Sequence, residues 1–264
     1  MHLRQRARKM WVIAALEAAS TLGEDVLFLI QFLFRLLRVV VLLALWRVIL
    51  PAHGTAGMTL SITLTYTLIQ EVFAEQLLPR TNIEWALHDG GIAMHFLQPL
   101  DLVSQFVARM LGNWVFGLVF FSIPLLLVAP WLGVNPAPMS LLAGALFLVS
   151  VLCTMAIGVA FDFIFAALLT HLEGSAYMVG RVRIAVSLLL SGALVPLALL
   201  PWNLGAILQW LPFASLASAP LRIYTGTGDP GFLLALQVAW AAVLWVLARW
   251  LWQHYREQLV CYGG

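Results

Sequence analysis

Lysine is almost absent: Lys9 is the only one in 264 residues. A G-x-x-x-x-G-K-[ST] phosphate loop needs a lysine among its glycines, so the chain does not bind ATP by that motif. Cysteine is scarce as well. Cys153 lies in an apolar run and Cys261 near the end, which gives no disulfide framework and assigns no redox compartment. The six histidines, His2, His53, His88, His95, His171 and His254, form neither H-E-x-x-H nor a Cys/His spacing suited to zinc. With G-x-S-x-G missing too, no metal site or catalytic residue is expected. Charge is the most telling shortage. Charged residues make up 10%, against about 25% in an ordinary soluble domain, while 62% are apolar and the mean hydropathy is +0.96. Such a chain is a polytopic, all-α membrane protein. Its net charge of +2 says little by itself, and no nucleic-acid partner is expected.

The apolar runs are long enough for six crossings at about 20 residues each. They cover 26–48, 58–78, 106–129, 141–169, 184–200 and 232–252. The fourth exceeds what a bilayer needs, so it tilts or extends past the interface. Gly192 and Pro196 interrupt the fifth. After it, 201–220 is apolar yet carries three prolines, and 201–230 is expected to be an outer re-entrant piece and loop, because irregular backbone at depth must be covered by protein or line a cavity. Residues 1–25 begin with Arg4, Arg6, Arg8 and Lys9. The apolar stretch after them is too short for a signal peptide and is broken by Glu17, so this region is expected to be a basic tail and an amphipathic helix on the membrane surface.

Ten of the 14 basic residues fall at one side of this arrangement: the four in the tail, Arg80, Arg109, Arg181, Arg183, Arg249 and Arg256. Only Arg47 and Arg222 fall at the other. The positive-inside rule therefore places both termini in the cytoplasm, with the chain multi-pass in a plasma (inner) membrane.

Within the apolar mass, Arg35 and Arg38 lie three residues apart on one helix face near the middle of the first run. An unpaired arginine there costs a few kcal/mol or more. They either line a substrate path and attract an anionic headgroup, or pair with Glu71 or Asp162. Glu71 and Glu75 meet water or pair with Arg109; Asp162 is a path group or an interfacial carboxylate. Ser191, Gly192 and Pro196 form either a kink shaping an outer gate or ordinary small-residue packing.

Between the second and third runs, 79–105 is a polar, amphipathic island. Ile83, Leu87, Ile92, Phe96 and Leu100 fall at four-to-five-residue spacing, which predicts short helices separated by Gly90 and Gly91.

Four stretches carry a family resemblance: LGEDVLFLIQFLFRLLRVVVLLALWRVI near the start, WALHDGGIAMHFLQPLDLVSQFVARMLG around the island, SGALVPLALLP followed by LPF and PLRIYTG, and the end running to CYGG. In these the chain resembles the membrane (permease) subunit of type-2 ATP-binding-cassette exporters, of the kind that pairs with a separate ATPase chain. The resemblance implies six spans, a second permease of the same or a homologous chain, ABC ATPase subunits that hold ATP and Mg, and no cofactor on this chain. It further implies that the island is a coupling helix, with Asp89, Gly90, Gly91, Pro99 and Leu100 as docking candidates. The family pattern ends there in Arg-Pro-Leu; here it is Gln98-Pro99-Leu100. The alternatives are an ion-coupled secondary transporter using Asp162, Glu71 and the two arginines, or a membrane scaffold or intramembrane enzyme.

Overall fold

Several helix boundaries are set locally. Thr59 lies just outside a helix and its side chain accepts the Ile62 amide at 3.3 Å; Asp101 does the same for the Ser104 amide at 3.1 Å. Each satisfies a first-turn N–H that has no partner inside the helix. The computed structural model describes residues 2–21, 25–50, 58–89, 91–171 and 176–254, and among them every regular element is helical. In order these are α1 (His2–Thr21), α2 (Asp25–Ile49), α3 (Leu60–Val72), α4 (Ala74–Leu77), α5 (Ile83–His88), α6 (Ile92–Phe96) and α7 (Leu102–Gly117). A π turn, Leu118–Ser122, joins α7 to α8 (Ile123–Val128). Then follow α9 (Leu141–His171), α10 (Ala176–Leu190), a 3-10 turn Leu197–Leu199, α11 (Leu204–Leu208), α12 (Ser218–Thr225) and α13 (Pro230–His254).

Three of these stretches are long and apolar enough to cross a bilayer: Leu102–Val128, Leu141–Leu168 and Pro230–His254. Pro124 explains the π turn in the first. Proline offers no N–H and its ring crowds the carbonyl one turn back, so the ladder widens and the Ile123 amide bonds to Leu118 O, five residues away. Large apolar side chains stand open on the outside of the bundle, among them Val48, Leu127, Leu141 and Val246. That surface suits acyl chains and not water.

The second run breaks at Phe73, between α3 and α4. The fifth run differs more: its helix is α10, ending at Leu190, so the helix sits nearer the polar connection than 184–200 suggested and the backbone is irregular from Ser191 on. Gly192 at φ +79° and Pro196 stop the helix there. Within 201–230 the helix is broken into two short pieces, α11 and α12, the second ending at Thr225. Helix α1 packs lengthwise on α7, with Ala14 and Glu17 against Gly112. Residues 51–57 with Pro51, His53, Gly54 and Gly57, as well as Gly90, Arg256 and Cys261, lie outside the described residues.

The packing gathers α1, α5, α6, the start of α7 and the ends of α9 and α13 at one end. There Ile83, Leu87, Ile92, Phe106, Met110, Phe163 and Ala248 form a buried core. At the opposite end Tyr224 Oη donates to Pro136 O at 2.5 Å, Thr65 Oγ1 donates to Asn135 O at 2.9 Å, and Arg47 bonds to Leu132 O.

Candidate functional site

The short linker between α4 and α5 is bolted to the bundle by a buried ion pair. Arg183 on α10 places Nε 2.7 Å from Asp162 Oδ1 on α9, with the side chains 5% and 0% exposed. Their approach is close but poorly aligned as a hydrogen bond, so other donors and acceptors complete the group. Thr81 supplies two to Asp162 Oδ2, its amide at 2.5 Å and its hydroxyl at 2.9 Å. Arg183 Nη2 donates to Pro79 O at 2.9 Å and Gly158 O at 3.2 Å. Gly158 leaves room for this: a β-carbon there would run into the Pro79 ring. One clamp thus joins α9, α10 and the linker that leads into α5.

Beyond the linker, Ile83 and Leu87 on α5 and Ile92 on α6 turn inward onto α7 and α9, while Trp85, Met94, Phe96 and Leu97 turn outward. Leu97, at 79%, is the most exposed of the four. Gln105 holds α6 to α7: Nε2 donates to His95 O at 2.8 Å and Leu100 O at 2.7 Å, and Oε1 meets His95 Nδ1 at 2.7 Å. Asp89 is exposed at the turn. Gly91 has φ −63° and ψ −14°, an ordinary right-handed conformation, so the turn does not need a glycine at that position. Pro99 and Leu100 follow α6 and face α1 across a groove.

The two arginines of α2 form a ladder with the second run. Arg35 Nη2 lies 2.9 Å from Glu75 Oε1, with its guanidinium 4.7 Å from the centre of the Phe121 ring. Arg38 Nη2 lies 3.1 Å from Glu71 Oε1, whose side chain is buried. The spacing of three on α2 thereby matches the spacing of four on the partner run. Arg35 and Glu75 also line a cavity of about 360 Å³ with Arg80, Asn82, Asn113 and Arg183. Arg38, Glu71 and Asp162 do not form its wall, and Asp162 pairs with neither α2 arginine.

At the opposite end, the backbone around Ser191, Gly192 and Pro196 is tied down by its neighbours. Tyr66 Oη donates to Gly192 O at 2.8 Å, and the Ser218 amide donates to Ser191 O at 2.9 Å. Pro196, with Tyr66, Asn203, Gln209 and Arg222, lines a second cavity of about 490 Å³.

Sequence reasoning passed over Thr81, Gln105 and Arg183 as members of any site. A signal existed for one of them: Arg183 directly abuts the apolar run beginning at Ile184, where an arginine needs a partner.

Long apolar helices, a polar cavity among them and a helical hairpin braced against the bundle at one end define a membrane transport component. Residues 36–261 match the family model described as ABC-2 family transporter protein, and the chain belongs to that family: it is a type-2 ABC permease subunit. No curated protein matches it.

Proposed function

We propose that this permease works in an exporter, energised by a separate ATPase that docks on α5 and α6. The observation that carries this reading is the two-faced hairpin. Its inner face is sealed into the bundle by Ile83, Leu87 and Ile92, and its outer face offers Trp85, Met94, Phe96 and Leu97 to a partner. Aromatic residues and methionine at such a patch are what protein interfaces select. In this reading the clamp of Thr81, Asp162 and Arg183 passes hairpin movement to α9 and α10, and the cavity beside Arg35 and Glu75 belongs to the substrate path, completed by a second permease of the same or a homologous chain. ATP and Mg remain on the partner. The chain makes six crossings of the inner membrane, α2, α3 with α4, α7 with α8, α9, α10 and α13, with the hairpin and both termini in the cytoplasm. The segment after α10 caps the outer side, with Ser191, Gly192 and Pro196 at its gate.

Cysteine cross-linking tests the docking. The chain is co-expressed with a candidate ABC ATPase subunit, and a Leu97→Cys variant is paired with single cysteines on that ATPase. Cross-links at Leu97→Cys but not at Met139→Cys, which is exposed at the opposite end, are the expected result. Equal labelling at both sites, or none at Leu97→Cys, contradicts it.

A further inference from the structure

The face of α1 that does not touch α7 is divided along its length. Arg6 is taken up by Asp101 and, at 2.9 Å, by Ser104 Oγ; Ala14 and Glu17 sit on Gly112. On the free face the first half of the helix presents Arg4, Arg8 and Lys9, and the second half Trp11, Val12, Ala15, Leu16 and Ala19. Among the described residues no carboxylate pairs with Arg8 or Lys9.

Depth follows from α7. Counting about 20 residues back from Ala129 at about 1.5 Å each brings the edge of the hydrocarbon to the neighbourhood of Arg109, the first charge on that helix. Asp101 then lies about 12 Å beyond that edge, among the headgroups, and Gly112 just inside it. Because α1 runs parallel to α7 over these contacts, Arg4 to Lys9 share the headgroup layer and Leu16 to Ala19 the start of the acyl layer. The basic half of α1 opens onto a groove of about 690 Å³ lined by Arg8, Lys9, Val12, Ile13, Pro99 and Leu100, with no acidic residue in its wall.

We infer that this groove between α1 and Pro99–Leu100 holds the headgroup of one anionic phospholipid of the adjoining leaflet, which is the cytoplasmic one in the orientation proposed above. Its phosphate meets Arg8 and Lys9 opposite Pro99 and Leu100, and its upper acyl carbons lie along Val12 and Ile13. Electroneutral lipid lacks the net charge that two unpaired cations at headgroup depth select. The site touches the stretch that leads from α6 to α7, so the bound lipid braces the base of the hairpin.

The test is lipid retention by the full chain, which needs no ATPase and therefore fails or succeeds independently of the docking reading. The protein is reconstituted in nanodiscs of equal palmitoyl-oleoyl phosphatidylglycerol and phosphatidylcholine, extracted into mild detergent, and its retained lipids are counted by native mass spectrometry. Wild type is expected to keep one phosphatidylglycerol in preference to phosphatidylcholine. Retention falls about fivefold for each cation lost in Arg8→Gln and Lys9→Gln. It survives in the charge-keeping exchange Arg8→Lys with Lys9→Arg, and in Arg249→Gln, a loss of one exposed cation on α13. Unchanged melting by circular dichroism shows that the variants fold. Equal retention of the two lipids, an equal loss in Arg249→Gln, or release of the lipid by millimolar inorganic phosphate at constant ionic strength each overturns the assignment.

Discussion

Removing one member of the buried clamp leaves its partner charged and enclosed. Arg183→Gln strands Asp162, with 0% of its side chain exposed, on the two Thr81 donors alone. Breaking a buried pair from one side costs about 3–5 kcal/mol. The upper part of that range applies here, because the carboxylate is fully enclosed. Asp162→Asn is milder. The amide oxygen still accepts from Thr81, and Arg183 keeps Pro79 O and Gly158 O as acceptors, so the loss falls near the lower end, about 3 kcal/mol. The double variant, Asp162→Asn with Arg183→Gln, strands neither charge and should cost less than the sum of the singles by about 2 kcal/mol, within the range seen for groups in direct contact. Unfolding in mixed micelles of dodecyl maltoside and rising sodium dodecyl sulfate, followed by tryptophan fluorescence, measures all three. Additivity within about 0.5 kcal/mol would refute the clamp, since that is how independent sites behave.

Three smaller predictions follow from the same geometry. Gly158→Ala pushes a methyl group into the Pro79 ring and should cost about 1–3 kcal/mol as overpacking, read as a lower melting temperature; no change would mean that the linker does not rest on α9. Gly91→Ala should leave stability unchanged or raise it by up to about 1 kcal/mol, because the backbone is already right-handed and the nearest atom to a new β-carbon is Ala86 O at 3.9 Å; a clear loss would show that the turn does need glycine. Partial burial works to raise the Asp101 carboxyl, but the Ser104 amide and hydroxyl together with Arg6 outweigh it and hold the group below the usual carboxylate range. A depressed folded value stabilises the docked α1 above the unfolded carboxyl value of about 3.9, and that contribution is lost as pH falls through the folded value. Limited proteolysis of α1 should therefore stay slow down to about pH 4 and rise below it, with Asp101→Asn flattening the profile.

Much of this architecture follows directly from residue pattern, and the misses have identifiable causes. Long apolar runs mark helices wherever the helix itself is unbroken, so 26–48, 141–169 and 232–252 each fall wholly within one helix. Hydropathy is blind to backbone breaks inside an apolar run. For that reason 58–78 hid the break at Phe73, whereas Gly192 and Pro196 marked the interruption of 184–200, whose helix α10 ends at Leu190. The island's apolar spacing put Ile83, Leu87, Ile92, Phe96 and Leu100 on one face; the first three are buried in the bundle core, whereas Phe96 turns outward. Gly91 lies between the two short helices, in a conformation open to any residue. Pairing was the least legible feature. Arg35 with Glu75, and Arg183 with Asp162, are 40 and 21 positions apart, and only the packing of α2 on the second run and of α10 on α9 decides which opposite charges meet.

The central claim is that the hairpin of α5 and α6 receives the work of ATP hydrolysis from a separate chain. The most direct measurement is ATPase turnover of this chain co-purified in nanodiscs with its phosphate-loop partner, comparing wild type with Met94→Glu and Leu97→Glu combined. Both side chains are exposed, so the variant should keep its own melting temperature. The account predicts that the variant loses the partner or leaves its ATPase at the rate of the isolated subunit. Full activity in a stable complex carrying both substitutions would contradict it.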